Sequence, residues 1–204
     1  GRVSLVNGNE LVVADSSLFD FEQVSSFSVV VQGDDGNGVV FSQDVALRLI
    51  DVISETISAG NEDDTIIAGD GDNNIDAGEG DNSVTTGTGD DVINSGSGND
   101  EIQTGDGDNI VNAGDGDNTI IAGEGNDDIT TGTGDDIVTA GDGDDTILSG
   151  DGDDVVSSGM GDDTIIGGSG AGDDVYDAGP GSDTVRFSSA CSPSTPMEQI
   201  KVFT

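Results

Sequence analysis

Aspartate and asparagine recur through the middle of the chain, each two positions after a glycine in all but the first case. Successive members are nine residues apart, except for one interval of eleven residues near the end. The series consists of Asp64, Asn73, Asn82, Asp91, Asp100, Asn109, Asn118, Asp127, Asp136, Asp145, Asp154, Asp163, Asp174 and Asp183. Carboxylate and amide oxygens, together with the carbonyl oxygens of glycine-rich turns, are the ligands of hard divalent cations. The chemistry indicated is therefore repeated cation binding.

Residue types needed for most other site chemistry are missing from the sequence. It contains no histidine and a single cysteine, Cys191. Histidine zinc sites, a Ser-His-Asp triad and a Cys-His dyad are thereby excluded, and no disulfide can form within these residues. Paired carboxylates serve glycoside hydrolysis only in a cleft where one acid has a raised pKa. We expect no enzymatic activity.

The charge of the chain sets a second constraint. It carries 43 acidic residues and four basic ones, for a formal net charge of -39. A compact fold does not tolerate this charge unless it is neutralised. The segment is therefore either a disordered Asp/Gly-rich linker or a fold that contains multivalent cations as structural parts. The same charge excludes nucleic acid and anionic membrane surfaces as partners, and no apolar run approaches the ~18 residues that span a bilayer.

A nine-residue repeat positions these residues. Fourteen units run from Ala59 to Arg186, and all have nine residues except the unit of eleven residues at 167–177. The second position of every unit is glycine, which indicates a tight turn. The eighth position is Ile or Val in every unit except at Tyr176. One apolar, mostly β-branched residue per unit predicts a very short strand with one inward side chain, which a linker does not need.

The segments Gly141–Ile147 and Gly159–Ile165 resemble the RTX, or hemolysin-type, nonapeptide repeat G-G-x-G-x-D-x-U-x, in which U is apolar. The first position departs from this pattern, because it is Ala, Thr or Ser in almost every unit, as at Thr86 and Ser95. The resemblance implies an all-β, right-handed parallel β-roll, a β-helix solenoid with about 18 residues per coil. It also implies calcium ions between successive turns, without which disorder is the favoured state.

The resemblance assigns the metal ligands to the sixth position of each unit, which is the Asp/Asn series given above. It arranges them in two columns, one on each side of the roll, with no two asparagines as stacked neighbours. Seven turns per column leave six gaps, so about twelve calcium ions are expected. Where the sixth position is asparagine, the fifth is Asp72, Asp81, Asp108 or Asp117. Every loop thus holds a carboxylate, which suggests that the fifth position compensates for the asparagine.

The flanking segments lack the repeat. Residues 1–57 resemble part of a bacterial cadherin-like domain, with apolar stretches at 11–13, 27–31 and 45–49 that predict antiparallel strands of a β-sandwich fragment. Glu22, Asp34 and Asp51 match acidic positions of that domain, and they either bind calcium at a domain junction or are ordinary solvated acids. Residues 58–187 form the predicted roll. Residues 188–204 are interpreted as a C-terminal cap, because solenoid ends need protection.

The function expected from these features is structural. We interpret the chain as a calcium-dependent segment of a secreted or cell-surface bacterial protein, such as an adhesin, surface-layer or filament component. The alternative is an RTX secretion and folding module of a larger type I-secreted enzyme. Both place the chain outside the cell, with calcium ions as partners. Unpaired β edges or coil ends offer a route to self-association.

Overall fold

The computed structural model describes residues 3–6, 10–13, 28–30, 46–48, 54–168, 172–187 and 199–201. Their secondary structure consists of twenty β-strands and no α-helix. Across these ranges no helix is long and apolar enough to cross a membrane. The predicted positions Glu22, Asp34, Asp51 and Cys191 lie outside the described residues.

The strands are three to six residues long. In chain order they are β1 (Val3–Val6), β2 (Glu10–Val13), β3 (Ser28–Val30), β4 (Ala46–Arg48), β5 (Thr56–Ser58), β6 (Thr65–Ile67), β7 (Asn74–Asp76), β8 (Ser83–Thr85), β9 (Val92–Asn94), β10 (Glu101–Gly105), β11 (Ile110–Gly114), β12 (Thr119–Ala122), β13 (Asp128–Thr131), β14 (Ile137–Asp142), β15 (Thr146–Gly150), β16 (Val155–Met160), β17 (Thr164–Gly167), β18 (Val175–Asp177), β19 (Thr184–Phe187) and β20 (Gln199–Lys201).

Alternate strands build two parallel sheets. The even-numbered strands from β4 to β20 form one sheet of nine strands, and the odd-numbered strands from β3 to β19 form the other. Along the repeat the register advances by one coil of 18 residues, as in Ile102 beside Ile120 and Val111 beside Ile129. The predicted parallel solenoid with 18 residues per coil is confirmed.

The eleven-residue unit does not break the columns. Val155 pairs with Val175, and Thr164 with Thr184, so the register advances by 20 residues at this coil in both sheets. The two extra residues therefore lie in the connection between β17 and β18. The strands beyond it remain parallel and in line with those before it.

The apolar core is a stack of eighth-position side chains. From β5 to β18 each strand buries one Ile, Val or Tyr side chain between exposed or half-buried neighbours, the alternation that a pleated strand produces. The members of this core column are almost fully buried: Ile57, Ile66, Ile75, Val84, Ile93, Ile102, Val111, Ile120, Ile129, Val138, Ile147, Val156, Ile165 and Tyr176. Both sheets contribute to it, so the column holds them together.

First-position side chains form a second layer of the core. Except for the partly buried Ala59, Ala, Ser and Thr at this position are buried, where the family pattern has glycine. The hydroxyls of Ser95 and Ser158 donate to carbonyls of the next coil, at 2.9 Å from Ser95 Oγ to the Ala113 oxygen. Gly167 is the exception, because a Cβ there would lie 2.6 Å from the hydroxyl of Tyr176. A small residue at this position therefore fills the space between the turn and the column.

The fourth-position glycines allow the turns to stack closely. Gly107 has a φ of 137°, which disfavours other residues, and its N–H donates to the Glu124 carbonyl of the next coil at 2.7 Å. A Cβ at Gly107 would collide with the carbonyl oxygen of Gly89 in the coil before. Glycine is therefore required here by the conformation and by the packing.

The N-terminal strands differ from the sequence expectation. The hairpin of β1 and β2 is antiparallel, but β3 pairs in parallel with β5, and β4 pairs in parallel with β6. The prediction that the segments 27–31 and 45–49 form antiparallel strands is wrong. The physical reason is that the first coil of a solenoid presents two open parallel edges, which accept any short apolar strand. At the opposite end β20 pairs with β18.

Candidate calcium-binding loops

The sixth-position residues lie in two columns, each residue directly before a strand. One column precedes the even-numbered strands and the other precedes the odd-numbered strands. Thirteen of the fourteen predicted residues are buried, and Asp183 is half-buried. We call the space between two loops stacked in one column a gap, and the sixth-position residue of its N-terminal loop the leading residue.

One oxygen of each sixth-position side chain ties the coils together. The backbone N–H of Asp127 donates to Oδ1 of Asp145 at 2.8 Å, and the N–H of Asp145 donates to Oδ1 of Asp163 at 2.9 Å. Asparagine does the same, because the N–H of Asp91 donates to Oδ1 of Asn109 at 3.0 Å. Oδ1 therefore has the same role in aspartate and asparagine loops.

The second carboxylate oxygen has no hydrogen-bond donor in most aspartate loops. Among the residues that the structure describes, Oδ2 is buried without a hydrogen-bond partner in Asp91, Asp100, Asp127, Asp136, Asp145, Asp154, Asp163 and Asp183. A buried carboxylate oxygen is costly unless a hydrogen bond, a counter-charge or a metal compensates it. These oxygens are therefore the strongest structural indication of cation sites.

The pKa values of two of these aspartates reflect the same uncompensated negative charge. Burial, and to a smaller extent the negative charges of the stacked Asp127 and Asp163, raise the pKa of Asp145 to about 7. The pKa of Asp154 is raised to about 7 for the same reasons, with the stacked Asp136 and Asp174 as neighbours. Bringing carboxylates together in a low-dielectric interior favours their neutral form unless a cation is present.

Five gaps hold aspartate on both sides. Their leading residues are Asp127, Asp136, Asp145, Asp154 and Asp163. No three His, Cys, Asp or Glu side chains of the described ranges converge on one point. A cation between two such loops would therefore be held by Oδ2 of the leading aspartate, Oδ1 of the next one and main-chain carbonyls. This all-oxygen set suits calcium, which takes ~6–8 oxygens in adaptable geometry.

The asparagine side chains have hydrogen-bond partners for their amide NH₂ groups. Nδ2 of Asn73 donates to the carbonyl oxygens of Gly69 and Gly71 in its own loop, at 3.2 and 2.8 Å, and to Oδ1 of Asp91 in the next coil at 2.8 Å. Nδ2 of Asn109 contacts the carbonyls of its own loop and Oδ1 of Asp127 in the same way. The amide thus lies in the gap that the asparagine leads.

The fifth-position acids lie on the surface. Asp72, Asp81, Asp108 and Asp117 are all exposed, and each offers Oδ1 to a backbone N–H of the next coil, at 2.9 Å from Asp117 to Asp135. This ladder runs in the opposite sense to that of the sixth position. These carboxylates therefore do not compensate for the asparagines in the way that the sequence suggested.

One buried acid was missed by the sequence reasoning. Glu55 is 2% exposed, and burial followed by the charge of Asp91 raises its pKa to about 7. Its backbone N–H donates to Oδ1 of Asn73, so it occupies the sixth position of an additional loop. The signal was present, since Glu55 precedes Asp64 by nine residues and Ile57 precedes Ile66 by nine.

Comparison with known proteins gives one family. Overlapping matches to the model described as RTX calcium-binding nonapeptide repeat (4 copies) cover 54–84, 67–102, 76–111, 85–120, 103–138, 121–156, 139–171 and 161–185. A search of curated proteins gave no match. The matches together span residues 54–185, which is more than half of the 204-residue chain. The chain therefore belongs to the family of RTX calcium-binding nonapeptide-repeat proteins.

Proposed function

We propose that this calcium-binding β-roll is a structural segment of a secreted or cell-surface protein, such as an adhesin, surface-layer or filament component, and that it folds when calcium enters the gaps. The observation that carries the proposal is the run of five consecutive aspartate–aspartate gaps with a buried, unpartnered leading Oδ2. Each ion would neutralise charge that otherwise opposes stacking. Under this proposal the sixth-position carboxylates have a structural role, so they are not proposed as catalytic acids.

The ligand chemistry supports an extracellular location. Calcium modules that work outside cells have dissociation constants of roughly 10⁻⁴–10⁻³ M, and we expect the main-chain-rich sites of this roll to have affinities in that range. The loops would remain empty and repulsive before export, and they would fill afterwards. Seven coils at ~4.8 Å each would then form a rod about 34 Å long, suited to spacing or stiffening a larger protein.

The experiment is a calcium titration of the whole chain followed by far-ultraviolet circular dichroism and hydrodynamic radius. We expect β-structure to appear and the radius to contract as calcium reaches the millimolar range, and both changes to reverse on chelation. Magnesium is the matched control, because it demands a tight octahedral coordination geometry, which these loops provide less well than the adaptable geometry that calcium takes. Spectra that do not change with calcium would defeat the proposal.

A further inference from the structure

In an aspartate loop a cation would be needed to balance the buried Oδ2. In four loops the NH₂ group of an asparagine takes the place of that oxygen. Oδ1 makes the same backbone hydrogen bond in both loop types, and asparagine and aspartate have the same shape. Nδ2 of Asn118, which donates to the carbonyls of Gly114 and Gly116 at 3.3 and 2.9 Å, therefore occupies the position of Oδ2 in an aspartate loop. An Oδ2 there faces the same carbonyls with a negative charge.

The orientation of each amide is fixed by its partners. Oδ1 of Asn82 accepts the backbone N–H of Asp64 at 2.9 Å, while Nδ2 donates to the carbonyls of Gly80 and Ser95 at 3.0 and 3.3 Å. Exchanging the two atoms would place an NH₂ group against an N–H, and an oxygen against carbonyl oxygens. The NH₂ group therefore points into the gap that the asparagine leads.

We infer that these amides replace calcium in four gaps, so that the twelve gaps between the fourteen repeat units bind eight ions at most. The gap between Glu55 and Asn73 is led by a carboxylate and adds at most a ninth. The replaced gaps are led by Asn73, Asn82, Asn109 and Asn118. The inference rests on the proposed calcium binding of the other gaps. Nine divalent ions would change the net charge from -39 to about -21, compared with about -13 for thirteen.

Apart from the gap led by Glu55, the eight remaining gaps divide into two classes. Five have aspartate on both sides, and the three led by Asp64, Asp91 and Asp100 have asparagine as the following residue. In those three, asparagine still offers Oδ1, but only one carboxylate is present. Because the charge of the ligands tunes calcium affinity, the five paired gaps bind more tightly than the three mixed gaps.

The two kinds of gap also differ in spacing. In each column of the N-terminal part, gaps led by aspartate alternate with gaps led by asparagine, so neighbouring ions are two coils apart, ~9.6 Å at ~4.8 Å per coil. In the C-terminal part consecutive gaps are led by aspartate, so ions lie one coil apart. The amides therefore also reduce repulsion between ions in the N-terminal part.

The test is the number of ions bound per chain at saturating calcium, measured by native mass spectrometry and by equilibrium dialysis with radioactive calcium. We expect nine or fewer. A count above nine would overturn this inference alone. A chain that binds no calcium would overturn the proposed function and this inference with it.

A pair of double variants makes the count specific. Asn109→Asp with Asn118→Asp replaces two gap amides by carboxylates, and we expect two additional ions. Asn99→Asp with Asn126→Asp is the matched control, since it adds the same charge at exposed fifth positions whose Oδ1 hydrogen bonds an aspartate retains. We expect no additional ion in the control. Equal counts for the two variants would contradict the inference, and saturating calcium keeps both variants folded during the measurement.

Discussion

The coils before residue 123 and the coils after it share a core and differ in their loops. Both regions stack β-branched side chains at the eighth position, and both use Oδ1 of the sixth position to tie coils together. In the N-terminal region asparagine leads four gaps, whereas every gap from Asp127 onward is led by aspartate. The backbone arrangement is therefore the same with asparagine and with aspartate at the sixth position, and under our inference one side-chain atom per loop decides whether the gap binds calcium.

This comparison indicates two solutions to one electrostatic problem. Each turn directs carbonyl oxygens into a gap, and something positive must face them. An amide NH₂ group supplies a permanent partial charge without an ion, while a carboxylate creates a site that is stable only when a cation or a proton is bound. A chain that uses both can keep part of its roll ordered at calcium concentrations that empty the rest.

The largest expected effect is the response of the two regions to calcium removal. We expect hydrogen exchange in β14 to β19 to accelerate on the order of tenfold more than in β7 to β11, because unscreened carboxylates open the C-terminal coils first. The measurement is exchange followed by mass spectrometry, with and without chelator. Equal acceleration in both regions would contradict the division.

The next effect is the pH dependence of the metal-free chain. The pKa values of Asp145 and Asp154 are raised to about 7 in the fold, from ordinary values near 3.8. A raised carboxyl pKa means that the fold favours the proton, so this contribution to stability is complete below about pH 4 and is lost as the pH rises through about 7. Acid therefore stabilises the metal-free C-terminal coils.

The direction of this pH dependence is tested by urea unfolding in calcium-free buffer at pH 5 and pH 8. We expect the higher midpoint at pH 5. With saturating calcium the difference should shrink or reverse, because protons then compete with the ions. A metal-free midpoint that rises with pH would show that these carboxylates are not held in a desolvated, repulsive arrangement.

The repeat could be predicted from sequence because period, glycine spacing and the apolar eighth position all describe the same coil. The core column followed from that period, whereas the two columns of sixth-position residues followed from the resemblance to the RTX repeat. The additional loop at Glu55 was missed because its glycines are absent, although Ile57 preserved the interval. Local pattern thus determines the coil where the motif is complete.

The remaining features depend on three-dimensional neighbours. Short apolar strands near the N-terminus do not specify their partners, so the parallel pairing of β3 and β4 could not be inferred from alternation. Likewise Asp108 and Asn109 are adjacent in sequence, but one is exposed and the other is buried. Only the stacked coils show which of two neighbouring polar side chains faces the gap and where its amide donates.

Two matched core substitutions sharpen the comparison at a smaller scale. Ile93→Ala and Ile147→Ala remove the same side chain from the same sheet, at positions that are 1% and 0% exposed. In saturating calcium we expect each to reduce the free energy of unfolding by about 2–5 kcal/mol. In calcium-free buffer at pH 8 the cost of Ile147→Ala should be the smaller of the two, since the repulsive coils around Ile147 open first. Urea unfolding, monitored by hydrogen exchange in the strands around each position, measures the cost of both substitutions.

The smallest expected effect is that of one loop atom. Asp145→Asn would place an amide in a gap that now has a buried carboxylate oxygen without a partner, so we expect about 1–3 kcal/mol of stabilisation without calcium and one ion fewer with it. The exposed neighbour gives the control, because Asp144→Asn keeps the Oδ1 that accepts the N–H of Asp162 and should change stability by less than about 0.5 kcal/mol.

A calcium titration followed by circular dichroism distinguishes these two variants. We expect Asp145→Asn to fold at a lower calcium midpoint with a shallower transition, because fewer ions enter and less repulsion opposes them. Asp144→Asn should follow the unmodified chain. If Asp145→Asn instead required more calcium, the carboxylate would be stabilising the coil by itself, and an amide could not be regarded as the substitute for an ion in this roll.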